Sequence, residues 1–189
     1  VLKISSSGNL KKLSVIAARL APVFLLLAQI SCKGESAGPP VATTLSANSS
    51  TTVTGVAGAV VTPAPSVIVR DQNGSPISGA PVTFVVVSGG GSVSGGTVTT
   101  DAAGIATVGS WTLGPVTGAN VLGAASGTLD PAAFTATSTA GAAALLARNA
   151  GDNQNAAAGS AVSIPPSVLV KDANGNPKSA VSVNFAVVS

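Results

Sequence analysis

Residues 65–88 read PSVIVRDQNGSPISGAPVTFVVVS, and residues 166–189 read PSVLVKDANGNPKSAVSVNFAVVS. Laid on each other without a gap, at an offset of 101, 14 of the 24 pairs are identical. The match continues upstream more thinly, with Leu45 on Leu146, Asn48 on Asn149, Ala57-Gly58 on Ala158-Gly159 and Val61 on Val162. A period near 100 residues is too long for a solenoid repeat and suits an array of small domains. Copy one is expected over 41–140. Copy two is expected over 142–189, where it is truncated about half-way through.

Within the repeat, Val82, Phe84 and Val86 alternate with Thr83, Val85 and Val87. Val183, Phe185 and Val187 hold the same places in copy two, with Asn184 and Ala186 between them. Alternation with period two, apolar on one side, is the mark of a half-buried strand. SVIVRD and SVLVKD read as a second strand. DQNGSP and DANGNP read as the turn after it, because Asn-Gly tolerates the positive φ of tight hairpins. Downstream, GTVTTDAAGIATVGSWTLG reads as strand, Asp-to-Gly turn, strand, and ANVLGAAS and AAFTATST complete the set. About seven short strands per copy predict an all-β fold, an immunoglobulin-like β-sandwich.

Composition agrees. Charged residues are 8% of the chain, far below the usual quarter. The net charge of +3 is concentrated at one end: Lys3, Lys11, Lys12 and Arg19 precede residue 32 with no acid among them. From Cys32 onward five basic residues face six acids, a balance of −1. That leaves no basic footprint for a nucleic-acid backbone.

The positive start runs into an apolar core, Leu20 to Ile30, too short to span a bilayer and suited to a secretory signal peptide over 1–31, expected as a signal helix. The core closes on Gln29-Ile30-Ser31-Cys32, and Cys32 is the single cysteine of the chain. This resembles a bacterial lipoprotein signal, with Gln29 where that family usually has Leu. The resemblance implies lipidation at Cys32 and a membrane as partner. Residues 32–40, rich in Gly, Ser and Pro, read as a tether.

Little in the sequence carries chemistry. With no His and one Cys, Ser/His/Asp and Cys/His triads and the common zinc sites are excluded. No enzyme, no metal and no cofactor is expected. Ser88–Gly96, SGGGSVSGG, lacks the Gly-Lys-Ser/Thr of a phosphate loop and precedes a strand, so it reads as a flexible inter-strand loop. Asp71–Gly74 and Asp172–Gly175 resemble the first half of a calcium loop but lack the distant Glu, so they read as hairpin turns. Asp71 with Asp101, or Asp152 with an acid of a neighbouring domain, is the pairing open to a calcium ion. Trp111 reads as a core plug beside Phe84 and Phe134, with sugar stacking from an exposed ring as the alternative.

Taken together, the D-x-N-G-x-P turn, VTF, TTDAAGIAT and WTLGPVTGAN resemble the bacterial immunoglobulin-like domains of the invasin and intimin type over about 41–189. The start of copy two, GDNQNAAAGSAV, resembles the opening of such a domain. The resemblance implies a non-catalytic stalk or adhesion module at the cell surface, outer-membrane associated. Its partners would be neighbouring domains of the same kind and a surface glycan or protein. The alternative is a stalk presenting an enzymatic or carbohydrate-binding domain beyond Ser189.

Overall fold

The structure is a computed structural model that describes residues 40–188. The signal segment, Cys32 and all of the tether but its last residue lie outside the described residues. Copy one is a two-layer sandwich. Strands β1 (Ala42–Ala47), β3 (Ser66–Asp71) and β7 (Ile105–Thr107) form one antiparallel sheet in the order β1-β3-β7. Strands β2 (Thr52–Val56), β4 (Pro81–Ser88), β6 (Thr97–Thr99), β9 (Gly118–Ala125) and β10 (Ala132–Thr139) form the other, in the order β2-β10-β9-β4-β6. The pairing is antiparallel except between β2 and β10, which run parallel. A short ribbon of β5 (Ser92–Ser94) and β8 (Ser110–Thr112) closes one side.

Ten strands form where the sequence predicts about seven. The opening segment crosses from one sheet (β1) to the other (β2). The glycine-rich stretch is not a flexible loop but contains β5. Its glycines serve close backbone approach: a Cβ on Gly91 would collide with the carbonyl of Thr112, and one on Gly96 would lie 3.0 Å from that of Phe84.

Alternation fills the space between the sheets. Val67 and Val69 of β3 face Val82 and Phe84 of β4, Leu122 and Ala124 of β9, and Phe134 and Ala136 of β10, all buried in one core with Trp111 and Leu113. The Trp111 ring is completely enclosed, so it is the plug and not a sugar platform. Its Nε1–H meets no acceptor among the described residues. An unmade bond of that kind costs about 1–3 kcal/mol, offset by the large apolar area that indole buries.

Copy two repeats the first half of this plan. Strands β11 (Leu145–Ala150) and β12 (Ser167–Lys171) pair antiparallel, Leu146 opposite Val170 as Leu45 stands opposite Val69. Asn149 Nδ2 donates to Ser167 Oγ at 3.1 Å, the same bond and distance as Asn48 to Ser66. The strand expected around Val183, Phe185 and Val187 does not form. No strand is assigned over 181–188, Phe185 is 62% exposed and Val187 98%. In copy one the equivalent β4 is held between β9 and β6, which belong to the second half of the domain. Copy two has no such partners among the described residues, so alternation alone leaves the segment unpaired.

Candidate functional site

Both Asp-x-Asn-Gly turns fold in the same way. In each, the carboxylate Oδ1 accepts from the backbone two and four residues on: Asn73 and Ser75 onto Asp71, both at 2.8 Å, and Asn174 at 2.9 Å and Asn176 at 2.8 Å onto Asp172. Gly74 and Gly175 take the positive φ, +79° and +87°. Asp101 caps its own turn likewise, accepting from Ala103 and Ile105. These carboxylates are thus engaged by local backbone, and Asp152 faces Arg148 at 3.4 Å on the surface. No group of three or more His, Cys, Asp or Glu able to hold a metal ion occurs among the described residues. A shallow depression lined by Thr52, Thr54, Thr62, Thr135 and Thr137 on the five-stranded sheet carries no acid or base.

What the turns meet is different. The copy-two turn seats against the end of copy one. Asn176 Nδ2 donates to the Pro115 carbonyl at 2.8 Å, and its Oδ1 accepts from the Thr117 amide at 3.1 Å. Asn174 Nδ2 donates to the Ala57 carbonyl at 3.1 Å, and Lys178 Nζ to the Ala140 carbonyl at 3.1 Å. The connecting Gly141 donates its amide to Asp172 Oδ2 at 2.9 Å. Each such bond contributes about 0.5–1.5 kcal/mol net, more where a charge is involved.

Copy one shapes its side of the joint from within. Buried Asn120 accepts from the Gly114 amide at 2.9 Å and donates to Ser138 Oγ at 3.2 Å. Ser138 Oγ in turn donates toward the carbonyls of Val116 and Gly118. This pair fixes the 114–118 loop, so that Pro115 and Thr117 present an acceptor and a donor side by side. The turn at Ala57-Gly58 is tied to the same loop by the Gly58 amide on the Gly114 carbonyl, at 2.9 Å.

Asp172 is only 1% exposed, yet its pKa is lowered from 3.8 to about 2. The amide side chain of Asn176 is the chief cause. The backbone donors of Gly141, Asn176 and Asn174 add to it and outweigh the opposing cost of burial. In the sequence this turn reads as a hairpin and nothing more. The signal it held was asymmetry: Asn176 and Lys178 stand where copy one has Ser75 and Ile77.

The fold and this joint define an immunoglobulin-like β-sandwich followed by the first part of another, held end to end. No family model matches the chain, and no curated protein does. Among solved structures, the D00-D0 domain of intimin is similar over 52% of this chain and 46% of its own, at 23% identity and a TM-score of 0.38. The Escherichia coli adhesin FdeC is similar over 75% of this chain and 44% of its own, at 20% identity and a TM-score of 0.45. The β-glucuronidase of Parabacteroides merdae is similar over 53% of this chain and 12% of its own, at 22% identity and a TM-score of 0.37. The chain spans less than half the length of the intimin fragment.

Proposed function

We propose that this chain is a non-catalytic, lipid-anchored surface protein whose immunoglobulin-like domains act as a structural stalk or adhesion module. The joint is the observation that carries this reading. Inter-domain contacts within a chain are mobile by default unless something fixes them. Here three side chains of one turn and the connecting backbone are committed to fixing one domain on the next. A spacer needs that stiffness, and it needs no reactive groups. The apolar run ending at Ser31-Cys32 supports export and lipid attachment at Cys32, with Pro39 and Pro40 leading into β1. Two acyl chains would anchor far more firmly than one.

The test is expression of the full chain in a bacterium fed a fatty-acid analogue, with protease shaving of intact cells. The parent is expected to carry label, to fractionate with membrane and to lose copy one to the protease. Cys32→Ser is expected to carry none. Equal labelling and membrane retention in Cys32→Ser would overturn the anchor, and full protection from the protease would overturn the surface placement.

A further inference from the structure

We infer that the end of copy one is a selective acceptor for another domain of this kind, reading Asn174, Asn176 and Lys178, and that the turn of copy one itself does not satisfy it. At the offset of 101, Asp172 and Asn174 have counterparts in Asp71 and Asn73, but the other joint residues change. Asn176 becomes Ser75, Lys178 becomes Ile77 and Gly141 becomes Pro40.

Each change removes a bond of the joint. Asn176 meets the Pro115 carbonyl and the Thr117 amide with two separate atoms, Nδ2 and Oδ1, whereas serine offers one hydroxyl on a side chain one bond shorter. Isoleucine has nothing to give the Ala140 carbonyl. Proline has no N–H for the second carboxylate oxygen of the Asp. In copy one that turn makes a different contact, Gln72 Oε1 accepting from the Val41 amide at 3.1 Å. Thus copy one can receive a domain but cannot be seated as copy two is.

Copy two, in contrast, carries the first piece of an acceptor as well. Its Ala158-Gly159 turn repeats the Ala57-Gly58 turn: Ser160 N–H to the Ala157 carbonyl at 2.9 Å matches Ala59 N–H to Val56 at 3.0 Å. Gly159 has φ +84° against +79° at Gly58. Gly58 lies against Asn174, whereas nothing among the described residues lies within 4 Å of a Cβ placed on Gly159. The partner it fits is an immunoglobulin-like domain whose turn reads Asp-x-Asn-Gly-Asn-Pro-Lys. Arrays built by this rule have a fixed polarity, with a copy-one sequence at the start.

The inference rests on the joint and not on the lipid anchor, so it is tested on purified chain carrying Cys32→Ser. Spin labels on Thr97→Cys and Ala147→Cys report the distance between the copies by pulsed EPR. The parent should give a narrow distribution. Giving copy two the residues of copy one, with Gly141→Pro, Asn176→Ser and Lys178→Ile together, should at least about double its width, the unconstrained behaviour of linked domains. Hydrogen exchange in β11 and β12 should stay as in the parent. A broad distribution in the parent, or a narrow one in the triple variant, overturns the inference. Should the triple variant lose the β11–β12 pairing, Gly58→Ala decides, since it alters only copy one: broadening supports the inference and an unchanged width overturns it.

Discussion

Copies one and two share a turn, a strand pair and a register, yet one is a packed domain and the other is a ribbon seated on its neighbour. Phe84 is 3% exposed, and Phe185, at the same place in the repeat, is 62% exposed. The difference separates what is local from what is collective. The β11–β12 pair and the Asp172 turn need only residues within about 35 positions of one another, and they form. A core strand also needs neighbours in its own sheet, and those that hold β4 and flank Phe84, β9 and beyond it β10, arrive thirty to fifty residues later.

The sharpest break of this comparison is a pair of truncations at the same repeat position. Phe84→Ala should destabilise copy one by about 3–5 kcal/mol, the usual cost of emptying a packed aromatic site. Phe185→Ala should stay within about 0.5 kcal/mol, since exposed positions away from special features rarely matter more. Trp111 is the only tryptophan and sits in the copy-one core, so its fluorescence in a denaturant titration reports copy one alone. Similar losses from the two variants would mean that Phe185 packs against copy one.

The same division sets how much was legible in the sequence. Val82 and Phe84 alternate on β4 and are buried, as their spacing requires, and Trp111 falls into the core between apolar flanks. The Asp-x-Asn-Gly turns also read correctly, since Gly alone sits easily at positive φ. What periodicity could not tell is whether an alternating strand finds a partner, and so VSVNFAVV reads like β4 but forms no strand. Nor could it tell Gly91 and Gly96 in a tight crossing from glycines in a loop. Spacing is blind to which backbone passes overhead. The joint was hidden for another reason: its acceptors are main-chain carbonyls of Ala57, Pro115 and Ala140, which carry no side-chain signature. Only the substitutions between copies pointed to it.

A smaller effect isolates the joint. Gly58→Ala and Gly159→Ala both place a Cβ at positive φ, which costs about 1–2 kcal/mol for an L-residue. Only at Gly58 does that Cβ also approach Asn174, 3.3 Å from its Nδ2. Amide exchange at Asn174 and Asn176 is therefore expected to quicken in Gly58→Ala and to stay at the parent rate in Gly159→Ala. Equal quickening in both would show that these amides report the stiffness of copy two and not its seating on copy one.

The gentlest perturbation is acid. Asp172 has its pKa lowered from 3.8 to about 2 by donors of its own turn, the Asn176 side chain first, and by the Gly141 amide of the connecting segment. A carboxylate depressed in this way favours the formed turn, which carries Asn174 and Asn176 to the joint, above its free pKa and loses that contribution as the pH falls through the lowered one. The joint should therefore be unchanged from neutral pH to about pH 4 and should loosen between 3.8 and about 2. Asp172→Asn carries no charge at any pH, so it should show a weakened joint throughout and no acid step from this site. Following the side-chain amide resonances of Asn176 by NMR across that range tests both statements. They probe the bonds to Asp172 and Pro115 directly. A transition centred near pH 4, in place of one displaced toward 2, would mean that the carboxylate does not hold its donors and that the seating depends on Asn174, Asn176 and Lys178 alone.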